Sequence, residues 1–357
     1  MKRLITLILI VFACTTSHAQ NEQILFTNVN VFDGTNETLK INTDVLVENN
    51  LIKQIAQNIK APKGATIIDG AGRTLMPGLI EGHSHLACSG ITFTEILFQQ
   101  EQYSAIMSAK IAEDMLMNGV TTTRDMAGPV FGLKRAIDDG IVNGPRVYAA
   151  GAMISQTSGH GDFRLPAQAN PMLGGPLPIT DIKGYGTQVD GVPNVLAAVR
   201  EQLRLGASHV KLAIGGSVSG INDPIDVTQF TYEEIEAAVK AAENWGTYVT
   251  VHGYTNGAVN QAIDAGIKCV EHGQLLDKPT LERMAREGVW LSIQPFTECH
   301  EDGLTEAQNE KQAIVCQGTG KVYEWIKEIP NLKVVHGTDI FISPGPGIGV
   351  SEQVKQM

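Results

Sequence analysis

The chain has 357 residues, about twice the size of an ordinary domain, which leaves one large α/β barrel or two domains and excludes a peptide scaffold or a lone small module. Hydrophobic residues make up 43%, charged residues 18% and aromatics 6%, with 37 glycines, a globular balance with ample material for a core rather than a disordered or fibrous one. Lys and Arg number 27 against 38 Asp and Glu, and the net charge of -11 argues against nucleic acid or an anionic membrane as the main partner and favours small-molecule chemistry.

The first segment reads as an export signal. Met1-Lys2-Arg3, the apolar run of residues 4–13 and Ser17-His18-Ala19 supply the charged, hydrophobic and small-residue regions of a secretory signal peptide over residues 1–19, with cleavage after Ala19. The expected destination is the periplasm or the exterior. Lipid anchoring at Cys14 is disfavoured, because Phe12 fits that signal poorly. The apolar run is too short to span a bilayer and no later stretch reaches 18 apolar residues, so no membrane span is expected. Cys88, Cys269, Cys299 and Cys316 have neither CxxC spacing nor the density of a disulfide framework and are expected as packing residues.

Residues 20–75 read as a small β domain. Strands are expected at 24–26, 29–31, 45–47, 51–56 and 66–68, with turns at Asp33-Gly34, Asn49-Asn50, Pro62-Lys63-Gly64 and Asp69-Gly70-Ala71-Gly72. From Met76 the rhythm becomes strand, loop, helix. Apolar, β-branched segments recur at 79–80, 119–123, 146–150, 209–214, 248–251, 267–270, 289–293 and 332–335. Amphipathic helical stretches lie at 104–118, 195–205, 232–244, 256–265 and 278–287. Eight strands alternating with helices predict an α/β fold, a (β/α)8 TIM-like barrel over 76–357, with a small, incomplete N-terminal β-sandwich domain over 20–75. The Gly- and Pro-rich residues 156–194 are expected as a substrate loop over the mouth.

Histidines then mark the strand ends. His83 and His85 follow the first barrel strand as a His-x-His pair, whose alternate residues face one side and can grip one ion. Lys211 lies inside the fourth strand, His252 and His272 end the fifth and sixth, and Asp339 follows the eighth, all at the catalytic face of a barrel. One histidine at a strand end is ordinarily a packing residue, and a lone His-x-His is a weak signal. Four histidines with an aspartate and a lysine at successive strand ends are a stronger one. A lysine in an apolar strand is costly to bury as a cation, so it should be paired, neutral or chemically altered.

With those residues, the run Met76-Pro77-Gly78-Leu79-Ile80-Glu81-Gly82-His83-Ser84-His85 resembles the metal-dependent amidohydrolase superfamily. More narrowly, Thr157-Ser158-Gly159-His160-Gly161-Asp162, His252-Gly253-Tyr254 and Glu271-His272-Gly273 resemble its imidazolonepropionase-related branch, which contains Xaa-Pro dipeptidase-like and carboxypeptidase-like enzymes. The resemblance spans roughly residues 23–345. It implies that His83 and His85 hold one divalent metal ion and His252 and His272 a second, with carboxylated Lys211 bridging them. Asp339 would bind the first ion and act as proton shuttle for a metal-activated hydroxide. Zinc suits imidazole and carboxylate donors, with Mn, Co and Fe open on the same donor set. The bridging lysine separates the chain from the mononuclear deaminases and imidazolonepropionases.

Tyr254, two positions past His252, is a candidate to aim its hydroxyl at a carbonyl oxygen, with an ordinary mouth tyrosine as the alternative. His160 is a candidate substrate contact, with loop stabilisation as the alternative. His209, His300 and His336 are expected to be structural, and Gly215-Gly216-Ser217-Val218-Ser219-Gly220 to bring backbone close to the site rather than cradle phosphate. No GxSxG elbow or HExxH helix competes.

The expected function is therefore a binuclear hydrolase of amide (C–N, peptide-like) bonds in a small-molecule substrate such as a dipeptide or N-acyl amino acid. The alternatives are a lactonase, esterase or cyclic-amide hydrolase on the same metals, and a truncated, inactive metal-binding protein. That last alternative arises because only a short tail follows Asp339, where the resemblance implies an eighth helix and strands returning to the small domain. Edges left open in this way would favour homo-oligomer formation.

Overall fold

The structure, a computed structural model, describes residues 22–296, 298–300 and 304–339. The expected signal peptide and the tail after Asp339 lie outside the described residues. The chain divides into two compact units between Pro77 and Gly78.

The first unit contains β1 (Gln23–Val31), β2 (Lys40–Glu48), β3 (Leu51–Ala56), β4 (Thr66–Asp69) and β5 (Thr74–Leu75). The strand order is β3-β2-β1-β4, with β5 also on β1. Two short strands expected at 24–26 and 29–31 are one strand whose register slips between Phe26 and Val29 and again before Val31. Among the described residues this unit has one sheet, which supplies one face of the expected incomplete sandwich. Asn49 turns the β2–β3 corner at φ 56, a conformation that asparagine tolerates.

The second unit is α/β with parallel sheets. One sheet is β6 (Leu79–Ser84), β7 (Val120–Asp125) and β8 (Arg146–Ala149). The other contains β9 (Met153–Ser155), β10 (Gly186–Gln188), β11 (Val210–Ala213), β12 (Val249–Gly253), β13 (Cys269–His272), β14 (Trp290–Ile293) and β15 (Lys333–His336), in the order β10-β9-β11-β12-β13-β14-β15. The helices are α1 (Phe93–Phe98), α2 (Glu101–Met117), α3 (Phe131–Asp138), α4 (Ile179–Ile182), α5 (Val192–Leu205), α6 (Tyr232–Asn244), α7 (Asn256–Asp264), α8 (Lys278–Glu287) and α9 (Glu306–Glu328).

All eight expected strand segments are strands. The expected substrate loop needs correction: residues 156–194 contain α4 and β10, and β10 pairs in parallel with β9, itself unforeseen. Three-residue strands are too short to leave a periodic pattern.

Local chemistry sets the boundaries. Thr231 and Glu234 form a capping box at the start of α6, as Thr305 and Gln308 do at α9. The Asp277 side chain accepts from Thr280 N at the start of α8, and Gly288 in the left-handed region ends it. Along β11, Val210 and Leu212 enter the main apolar cluster. A two-residue period turns Lys211 to the opposite face, toward the site.

Helix α9 escapes sequence reading because its first turns are polar and Gly318 and Gly320 interrupt it. Gly318 is required by packing: a β-carbon there would lie 2.2 Å from the Gln274 carbonyl oxygen. Gly318→Ala should therefore destabilise the fold by about 1–3 kcal/mol, although alanine alone favours helix by about 1 kcal/mol. A urea midpoint that stays put or rises would reject this close approach.

The expectation for the cysteines was half right. Cys88 and Cys269 are buried and free, but Cys299 and Cys316 form a disulfide, 17 positions apart in sequence and with Cα atoms 5.2 Å apart. The bond joins the segment after β14 to α9, a proximity that no sequence spacing encodes. No helix among the described residues is long and apolar enough to cross a membrane.

Candidate metal centre

The site is assembled where β6, β12, β13 and β15 end. His83 lies in β6 and His85 just beyond it, and their Nε2 atoms are 3.2 Å apart. Three residues past β15, Asp339 adopts φ 54, and its amide donates to the His83 carbonyl at 2.9 Å. Gly337 permits this turn, since a β-carbon there would meet that of His83 at 2.5 Å. Asp339 Oδ1 then lies 3.3 Å from His83 Nε2 and 3.1 Å from His85 Nε2. Candidate ligand atoms of the three residues all fall within 4.8 Å of one another.

A second group stands beside the first. The rings of His252 and His272 have centroids 4.4 Å apart, and His272 is 4.9 Å from His83. His272 Nδ1 is also 3.7 Å from Asp339 Oδ2. Lys211, 2% exposed, is among the largest fully buried side chains, and its charge acts on His83, His160, His252 and His272. Burial lowers its ammonium from 10.5 to about 8, against the opposing pull of Glu271 and Asp339.

Burial also keeps the imidazoles neutral. His83 is lowered to about 4, first by burial and then by Lys211. His252 and His272 are held well below the ordinary range, chiefly by burial. Neutral imidazole is the form that binds metal. Burial works against the Asp339 carboxylate, yet His83, His85 and His272 outweigh it and hold the group well below the usual carboxylate range.

Hydrogen bonds also orient the imidazoles. His83 Nδ1 faces Glu271 Oε2 at 2.9 Å, His252 Nε2 faces the Gly216 carbonyl at 3.0 Å and His272 Nδ1 faces Gln294 Oε1 at 2.8 Å. In each ring one nitrogen is thereby engaged, leaving the other for a ligand. His252 Nδ1 is buried with no hydrogen-bond partner among the described residues. Neutral imidazoles held at one nitrogen, an ionised carboxylate and this orphaned nitrogen fit divalent metal ions.

The other candidates fall into place around this core. Tyr254 is buried, with its ring 5.0 Å from His252 and 5.3 Å from His272, and burial raises its hydroxyl well above 10. His160 packs 4.2 Å from His252, and its Nδ1 is buried without a partner among the described residues while its amide donates to Gln229 Oε1 at 3.0 Å. The Gly216 contact shows that the glycine-rich segment does bring backbone to the site. His209 stacks on Tyr248, His336 ends β15 and His300 is exposed.

Sequence reading missed four contributors. Glu81 Oε1 accepts from the amides of His83 at 2.8 Å and Thr338 at 2.9 Å, tying the His-x-His segment to the approach to Asp339. Fully buried Glu271 and partly buried Arg124 form an ion pair at 2.7 Å, and Gln294 holds His272. Glu81 and Glu271 sit inside the quoted motifs, and a charge within a strand could have marked Arg124. Gln294 carries no such mark.

Acid should destabilise the metal-free protein. His83 at about 4 and His209 at about 3 stay neutral in the fold, while the same groups in the unfolded chain take up protons below about 6.5. Their contribution is complete above pH 6.5 and is lost as pH falls through that window, at roughly 3 kcal/mol per pH unit for the two together. Thermal midpoints of chelator-treated protein between pH 7 and 5 check this. A flat profile would mean that these imidazoles titrate normally.

The Amidohydrolase family matches residues 74–343, and the chain belongs to it. Ochratoxinase from Aspergillus niger is 32% identical over 264 residues, covering 70% of this chain and 55% of that protein. The chain thus spans about half the length of the curated relatives it matches. Among solved structures, a prolidase complexed with N-methylphosphonate-L-proline is similar at TM-score 0.82 and 30% identity, covering 90% of this chain and 79% of its own. The A. niger ochratoxinase structure is similar at TM-score 0.77 and 28% identity, covering 90% and 76%.

Proposed function

We propose that the protein is a binuclear metal-dependent hydrolase of amide bonds in dipeptides or N-acyl amino acids. The carrying observation is the His83–His85 pair meeting the ionised Asp339 beside His252, His272 and buried Lys211. His83, His85 and Asp339 would hold one ion, His252 and His272 the other, and carboxylated Lys211 both, with zinc suited to the donors. Bound there, the ions supply Lewis-acid polarisation of a carbonyl and acidification of water. Asp339 accepts a proton from the attacking water and delivers it to the leaving amine. Tyr254 directs its hydroxyl to the carbonyl oxygen, and His160 lines the substrate side of His252.

The similarity to a prolidase complex favours peptide-like substrates. The same reading takes the two parallel sheets as arcs of one (β/α)8 barrel, supported by the bond from Asp339 N to His83 O. Export is supported by the Cys299–Cys316 disulfide, which suits an oxidising compartment.

The test combines metal analysis with a panel of dipeptides, N-acyl amino acids and lactones. Two ions per chain are expected, with amide hydrolysis abolished by chelation and restored by zinc. Hydrolysis indifferent to chelation would sink the mechanism, and two ions without turnover of any panel member would make the protein a metal-binding one.

A further inference from the structure

We propose that Arg124 and Glu271 are positioning residues that fix the tautomer of His83, an inference resting on the metal centre proposed above. Glu271 lies on β13 and is completely buried. Its Oε1 accepts from Arg124 Nη2 on β7 at 2.7 Å and from the hydroxyl of Thr250 on β12. Its Oε2 faces His83 Nδ1 at 2.9 Å. A carboxylate engaged by a guanidinium is ionised and only accepts, so His83 Nδ1 donates.

The ring is therefore held with its proton on Nδ1 and its lone pair on Nε2. Nε2 is the atom that lies 3.2 Å from His85 Nε2 and 3.3 Å from Asp339 Oδ1. Groups on β7, β12 and β13 thus dictate which nitrogen of a β6 residue faces the centre. The other two oriented histidines have neutral acceptors, a backbone carbonyl for His252 and an amide oxygen for His272. Of these three, His83 has the charged acceptor, which both orients the imidazole and raises its basicity as a ligand. The consequence is asymmetric: losing the Arg124–Glu271 pair should weaken one of the two ions and spare the other.

The experiment titrates the metal-free full chain with zinc against a chromophoric chelator and follows cobalt substitution by absorption spectroscopy. Wild type is expected to bind two ions. Glu271→Gln should weaken one of them about 10–100-fold, the usual range for loss of such an outer partner, with one component of the cobalt spectrum lost and the other kept. Arg124→Met should weaken the same ion. Arg124→Lys, which keeps a charged donor for Glu271 Oε1, should restore affinity to within a few-fold.

An unpaired buried charge can unfold a single variant. The double variant Arg124→Met/Glu271→Gln removes both charges together and should fold, by circular dichroism of the metal-free chain, while losing the same ion. Equal weakening of both ions, or of neither, would overturn the positioning role while leaving the metal centre standing. A wild type that binds no ion would remove the metal centre itself.

Discussion

Lys211→Ala should lower kcat/KM for amide hydrolysis by roughly a thousandfold or more, about 4 kcal/mol of transition-state stabilisation at 1.36 kcal/mol per factor of ten. The reason begins with burial. A primary amine combines with carbon dioxide only when neutral, and an ordinary lysine at pH 7 is neutral about one time in three thousand. With its ammonium lowered to about 8, Lys211 is neutral about one time in ten at the same pH. The fold thus makes the reactive form abundant at the point where His83, His252 and His272 converge. Carboxylation would convert a buried cation, repelled by two ions, into an anionic bidentate donor that both ions favour.

Removing this side chain should cost both metal occupancy and rate. Lys211→Met, of similar volume and uncharged, should be as inactive as the alanine variant while folding at least as stably, because no buried amine then needs compensation. A short carboxylic acid diffusing into the alanine cavity should return part of the activity, since it supplies the missing oxygen donors. Full activity and full metal content in Lys211→Met would exclude a bridging role.

These residues were legible because strand periodicity and chain order carry most of the information. In Val210-Lys211-Leu212 the alternation alone separates the core-facing valine and leucine from the lysine. The strand-end placement of His83, His252 and His272 is legible because a strand end is recognisable from the loop that follows it. What escaped the sequence depends on pairing between distant segments. Arg124 and Glu271 are 147 positions apart, and each alone looks like a charge near a strand end. Gln294 resembles any polar residue after a strand until its oxygen is seen against His272. The Cys299–Cys316 bond likewise requires knowledge of where α9 lies, and α9 is itself hidden by its glycines, of which Gly318 serves packing rather than helix formation. In the first unit alternation likewise reveals strands but not how many sheets they form.

Asp339→Asn should reduce kcat by about 10²–10⁴-fold, the usual contribution of a positioned acid–base group, with a much smaller change in KM. Asparagine has nearly the same shape and keeps one oxygen, so the backbone turn at φ 54 is also tolerated. It cannot take up the proton released when water attacks, nor return one to the departing amine. Asp339 has two roles in the proposed mechanism, ligand and proton carrier, and the substitution separates them. Metal content should fall only modestly if the remaining oxygen still faces His83 and His85, whereas the rate should collapse.

The leaving group provides a further check. An amide must expel a poor, basic amine that needs protonation, while an activated ester with an acidic phenol does not. Asp339→Asn should therefore lose far more activity on the amide than on a p-nitrophenyl ester of the same acyl group. Equal losses on both would place Asp339 in metal binding or water activation alone, and an unchanged amide rate at full metal occupancy would remove it from proton transfer altogether.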